Sequence, residues 1–85
     1  MAYNVPNFGS IGANAGPFPV GYIINGGQNK GAQFAQGNPQ SPGADLISTN
    51  HEIDLMANGQ TIYAFQIKNR GGKPTSWTLA GGGLS

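Results

Sequence analysis

The chain has 85 residues, of which 15 are Gly and 6 are Pro, with four Lys/Arg, three Asp/Glu, a formal net charge of +1 and no Cys. That length allows one domain, the missing thiols exclude a disulfide framework, a thiolate zinc site and a cysteine nucleophile, and the weak charge excludes the basic face of a duplex nucleic-acid binder. A surface this poor in charge meets water through Asn, Gln, Ser, Thr and backbone, and near-neutral surfaces tend to associate.

Four Phe, three Tyr and one Trp argue against disorder, because disordered chains are aromatic-poor and charge-rich. Met1 to Gly16 holds no Lys or Arg and no continuous apolar run, so no secretory signal is expected there. No stretch approaches the roughly 20 apolar residues of a membrane-spanning helix, and no Asn-x-Ser/Thr acceptor is present. Synthesis and assembly in a cytoplasm is the simplest expectation, with non-classical secretion as the alternative.

Composition divides the chain near Asp45. Residues 1–44 carry one charge, Lys30, with nine Gly and five Pro; residues 45–85 carry six charges, six Gly and one Pro. In the first half, Val5-Pro6, Gly9, Gly12, Gly16-Pro17 and Phe18-Pro19 are each incompatible with a helix interior, and each residue before a Pro is pushed toward β or polyproline geometry. Val20 to Ile24 is β-branched and aromatic and closes on Asn25-Gly26-Gly27, which predicts a strand ending in a turn. A weaker strand is expected over Gly31 to Gln36 with Phe34 as its anchor, followed by a loop over Gly37 to Gly43.

In the second half, His51 to Leu55 alternates, with His51, Ile53 and Leu55 on one face and Glu52 and Asp54 on the other, as in a half-buried strand. Asn58-Gly59 predicts a two-residue type I′ hairpin. Thr61 to Lys68 then places Tyr63, Phe65 and Ile67 on one face and Ile62 and Ala64 on the other, which predicts a central strand. Asn69 to Pro74 turns the chain into Thr75 to Leu79, where Thr75, Trp77 and Leu79 share a face, and Gly81 to Gly83 ends it. No segment shows helical spacing. The expectation is an all-β fold, a small antiparallel meander, sandwich or barrel: residues 1–44 an extended Gly/Pro-rich arm with one short hairpin, residues 45–85 a β-meander body.

Few residues offer chemistry. Ser48, His51 and Asp54 have the composition of a triad, but in a strand His51 and Asp54 point to opposite faces, whereas a base must be oriented by its partner. Glu52 and Asp54, with Asp45, invite a calcium site, although no calcium-loop spacing occurs and solvated carboxylates are the simpler reading. Gly9, Gly12 and Gly16 lack the spacing and the following helix of a phosphate loop. Lys68, Arg70 and Lys73 gather at one hairpin tip suited to a protein contact or an anionic ligand, but are too few for a nucleic-acid site. No catalytic, metal or cofactor site is expected.

The stretch Asn-Arg-Gly-Gly-Lys-Pro-Thr-Ser-Trp-Thr-Leu-Ala-Gly, Asn69 to Gly81, resembles one in discoidin-type galactose-binding-like sandwiches, where a Pro-x-Ser-Trp-x-Leu-x-Gly strand follows a basic loop. The resemblance covers 13 of the 85 residues and implies Trp77 and Leu79 as core and a glycan-facing Arg70 loop.

The function that accounts for most of these features is structural assembly: a small bacteriophage virion component of decoration, cement or fibre-base type, joined to copies of itself or to a larger particle protein. An uncharged arm can be buried without charge desolvation and can add strands to a neighbour, with Tyr3, Phe8, Phe18, Tyr22 and Phe34 as apolar anchors and Arg70 and Lys73 as a further contact. The alternative is a small glycan-binding module. Neither reading involves a membrane or a nucleic acid.

Overall fold

The computed structural model describes residues 2–83. Six strands follow in chain order: β1 (Ala2–Ile11), β2 (Phe18–Tyr22), β3 (Gln33–Pro39), β4 (Leu46–Leu55), β5 (Thr61–Asn69) and β6 (Thr75–Gly83). All pairings are antiparallel, and they build two three-stranded sheets in the orders β1-β6-β3 and β2-β5-β4. The fold is the expected all-β class in its sandwich form. No helix of the described residues is long and apolar enough to cross a membrane.

The two central strands make the core because they alternate. On β5, Tyr63, Phe65 and Ile67 are buried while Ile62, Ala64, Gln66 and Lys68 are half-buried on the other face. β6 likewise buries Thr75, Trp77 and Leu79. Ile11, Ala35 and Leu46 from three flanking strands complete a cluster with Phe65, Ile67, Trp77 and Leu79. Each large side chain so buried contributes about 1.5–3 kcal/mol.

The halves that composition separates at Asp45 are interleaved. Residues 1–44 supply β1, β2 and β3, and every one of these pairs with β5 or β6. The turn over residues 70–74 carries the chain from one sheet to the other rather than closing a hairpin, so β5 and β6 face each other across the core. Asn69 organises this crossing from a fully buried position. Its Oδ1 accepts from the Asp45 and Gly71 amides at 3.1 and 2.9 Å, and its Nδ2 donates to the Gly12 and Lys73 carbonyls at 3.1 and 2.8 Å.

Boundaries move where backbone requirements override local composition. Gly37, Asn38 and Pro39 belong to β3 rather than to a loop: a Cβ at Gly37 would strike Ile67, and Pro39 ends an edge strand, where its missing donor is harmless. β6 continues through Gly81 to Gly83 because β1 and β3 pair with it on both sides and the Tyr3 ring lies against Gly81. β2 runs over Phe18 to Tyr22, two residues earlier than expected, and Ile24 is buried in the following turn. The β4–β5 turn is not type I′. Asn58 keeps a negative φ, Gly59 alone takes +87°, and the Gly59 amide donates to the Met56 carbonyl at 2.9 Å, the pattern of a longer loop with Gly in the left-handed position.

The four described non-Gly residues with positive φ are all asparagines: Asn7, Asn14, Asn25 and Asn50. Asn tolerates that region because its short polar side chain bonds locally. Asn7 sits in the β1 register shift between Val5 and Gly9, and Asn50 in the β4 shift between Thr49 and Glu52. Both are β-bulges, which re-aim the side chains around them.

Candidate functional site

A two-sheet sandwich has two open sides, and this one finishes them differently. On one side β3 meets β4 through polar bridges. Gln36 Nε2 donates to the Leu46 carbonyl at 3.3 Å, the Gly37 amide donates to Ser48 Oγ at 3.4 Å, and His51 Nε2 lies 2.8 Å from the Ala35 carbonyl oxygen. The bulge at Asn50 swings the His51 ring between Phe34 and Phe65, stacked on each with centroids 5.3 and 5.5 Å apart. These bridges seal the gap between the sheets on this side, while the Phe34 and His51 rings stay exposed at its surface.

On the other side β1 and β2 do not pair, and a cleft of about 240 Å³ lies between them. Tyr3, Val5 and Phe8 come from β1, Tyr22 to Asn25 from β2 and its turn, and Leu79 from β6 beneath. The β1 bulge sets Phe8 over Trp77, ring centroids 5.2 Å apart. Tyr3 and Tyr22 bridge the opening through their hydroxyls at 2.9 Å, and Tyr22 stacks on Tyr63, whose own hydroxyl donates to the Gly31 carbonyl and accepts from the Lys30 amide. Burial, then the Tyr3 hydroxyl, pushes the Tyr22 pKa well above the ordinary tyrosine value. Among the described residues, no charged side chain lines the cleft. Pro19 has no N–H to offer a partner strand, and Pro6 removes another donor from β1.

A second apolar surface lies on the β4–β5 hairpin. Every residue from Thr49 to Gln60 is exposed, and in the β4–β5 hairpin Ile53, Leu55 and Met56 are 47, 68 and 39% exposed. Ile53 pairs with Tyr63 and Leu55 with Thr61, so both lie on the face that is core elsewhere, but no strand of the other sheet reaches over them.

Of the residues expected to make contacts, the structure brings Tyr3, Phe8 and Tyr22 together in the cleft. Phe18, half exposed, sits farther along β2, and Phe34, 60% exposed, belongs to the sealed side. Arg70 and Lys73 lie in the crossing turn: Arg70 Nη2 pairs with Asp45 Oδ2 at 3.2 Å, and the Lys73 side chain covers Gly43. Asp45 is thereby held away from Glu52 and Asp54, and among the described residues no group of three or more His, Asp and Glu side chains converges. Ser48 and His51 each bond to the β3 backbone, at Gly37 and Ala35, while Asp54 lies on the outer face, paired with Ile62. Val5, Ile23, Ile24 and Leu55 were not singled out by sequence reasoning as contact residues. The available signal was Ile23-Ile24, two adjacent apolar residues where strand alternation buries only one.

Comparison with protein-family models, curated proteins and solved structures finds no match.

Proposed function

We propose that the protein is a structural assembly subunit, a small decoration, cement or fibre-base type component of a larger particle such as a bacteriophage virion, and that it associates with copies of itself. The observation that carries this reading is the set of large apolar side chains left exposed at the open side and the hairpin, Val5, Ile23, Ile53, Leu55 and Met56, on a chain with only seven charged residues. Monomeric proteins rarely leave contiguous apolar surface uncovered, and weak net charge offers little repulsion against contact. Apolar lining favours a protein partner over a glycan, since Asn25 is the one planar amide in the cleft.

Sedimentation velocity of the full chain from micromolar to near-millimolar concentration tests the proposal. The expected result is a mass rising above the 8.7 kDa of one chain. A monomer at every concentration contradicts it.

A further inference from the structure

The assembly reading leaves open which surfaces meet, and the shapes on the molecule answer this. A cleft of about 240 Å³ is smaller than the roughly 300–1,000 Å³ of drug-sized ligand sites. It suits one or two aliphatic side chains. The hairpin supplies such side chains: Leu55, with Ile53 behind it on the same face, projects from a hairpin whose residues are all exposed. Glu52 and Asp54 pair with Ala64 and Ile62 on the opposite face of the hairpin from Ile53 and Leu55, so the apolar face can enter an uncharged cleft without desolvating a carboxylate.

The tip does not fill the cleft of its own chain. The turn over Ile24 to Gln28 stands between them, tied to the hairpin where the Thr61 amide donates to the Gly27 carbonyl at 2.8 Å and Gln60 Nε2 to the Gly26 carbonyl at 3.1 Å. The two surfaces share no residue, so a single copy presents both. Contact between unlike surfaces of identical subunits is isologous where two copies exchange it reciprocally and otherwise heterologous, building rings or filaments according to the rotation it imposes.

We propose that the β4–β5 hairpin tip of one copy seats in the β1/β2 cleft of a second copy, with Leu55 packing against Tyr3, Val5 and Leu79. This rests on the assembly reading and names its interface. The two ends of the contact can be broken separately. Leu55→Glu disables the tip and leaves the cleft intact; Val5→Glu disables the cleft and leaves the tip intact; both positions are exposed in the single chain.

By sedimentation, each variant alone is expected to be monomeric, with association weakened at least tenfold, while an equimolar mixture restores a one-to-one heterodimer in which the tip of V5E enters the cleft of L55E. Ile23→Glu serves as a second cleft variant, and the near-ultraviolet signal of Trp77 verifies that each protein is folded. Either cleft variant associating like the wild type, or a folded mixture that stays monomeric while the wild type assembles, overturns the knob-in-cleft contact and leaves assembly standing. A wild-type chain that is itself monomeric overturns both.

Discussion

The β3/β4 and β1/β2 sides of the sandwich are built from the same kinds of strand but end in different chemistry. On the β3/β4 side, Gln36, Ser48 and His51 reach across to backbone groups of the facing strand, and the histidine ring fills the gap between two phenylalanines. On the β1/β2 side the only polar link across the gap among the described residues is Tyr3 to Tyr22, and the remaining wall is aliphatic and aromatic. Polar side chains bonded to the facing strand close an edge even where they are half-buried or exposed, as Gln36, Ser48 and His51 are, because each bond ties two sheets together. Apolar side chains cannot do this without a further layer of protein to pack against. The difference therefore separates a side bridged within one chain from a side whose apolar wall is left open, the side where the proposed second copy would pack.

Substitutions can test each half of that contrast. The largest effect is expected where the sheets share a buried hub away from both sides. Asn69→Ala removes four hydrogen bonds from a fully buried position, and even one orphaned buried group costs about 1–3 kcal/mol, so chemical denaturation should show a loss at the top of that range or beyond. On the sealed side, Gly37→Ala drives a Cβ into Ile67 and toward Trp77 and Leu46; overpacking of this kind costs about 1–3 kcal/mol, again read as a shift of the denaturation midpoint. His51→Ala should cost about 1 kcal/mol through the lost Ala35 bond and ring stacking, and should open the sealed side to faster amide exchange in β3.

Smaller effects are expected on the open side, where the monomer has least to lose. Tyr3→Phe removes one hydroxyl–hydroxyl bond and should lower stability by about 0.5–1.5 kcal/mol. The pH response follows from the raised Tyr22 pKa. The unfolded chain ionises this tyrosine near its ordinary value of 10.0, whereas the folded chain holds the proton to higher pH. Above that value the native state binds more protons than the unfolded state, so the Tyr22 contribution is complete at neutral pH and decays as pH rises past 10.0. Thermal melts of wild type and Tyr22→Phe should converge at alkaline pH; a gap that widens there contradicts the assignment.

The strands were legible where side chains alternate. β5 and the first half of β6 follow directly from Tyr63, Phe65, Ile67, Thr75, Trp77 and Leu79, because period-two burial is written in residue type. The tail of β6 and the end of β3 were not, since their reasons lie in distant partners: Gly81 is a strand residue because Tyr3 occupies the space of its missing side chain, and Gly37 because Ile67 does. The sheet order was equally hidden, as pairing β1 with β6 joins residues nearly a chain length apart. For the cleft, Tyr3, Phe8 and Tyr22 stood out as uncommitted aromatics. That Phe8 comes over Trp77 at the cleft while Phe34 stacks on His51 goes with the register shifts at Asn7 and Asn50, and the many asparagines gave no sign of which ones would take a left-handed backbone.

Backbone hydrogen exchange of the wild-type chain at low and high protein concentration tests most directly whether the open side is where a second copy binds. The account predicts that protection rises with concentration in segments spanning Tyr3 to Phe8, Tyr22 to Asn25 and Ile53 to Met56, and stays constant in β3 and in the turn carrying Arg70 and Lys73. Protection that is independent of concentration, or that rises on the sealed side instead, would contradict it.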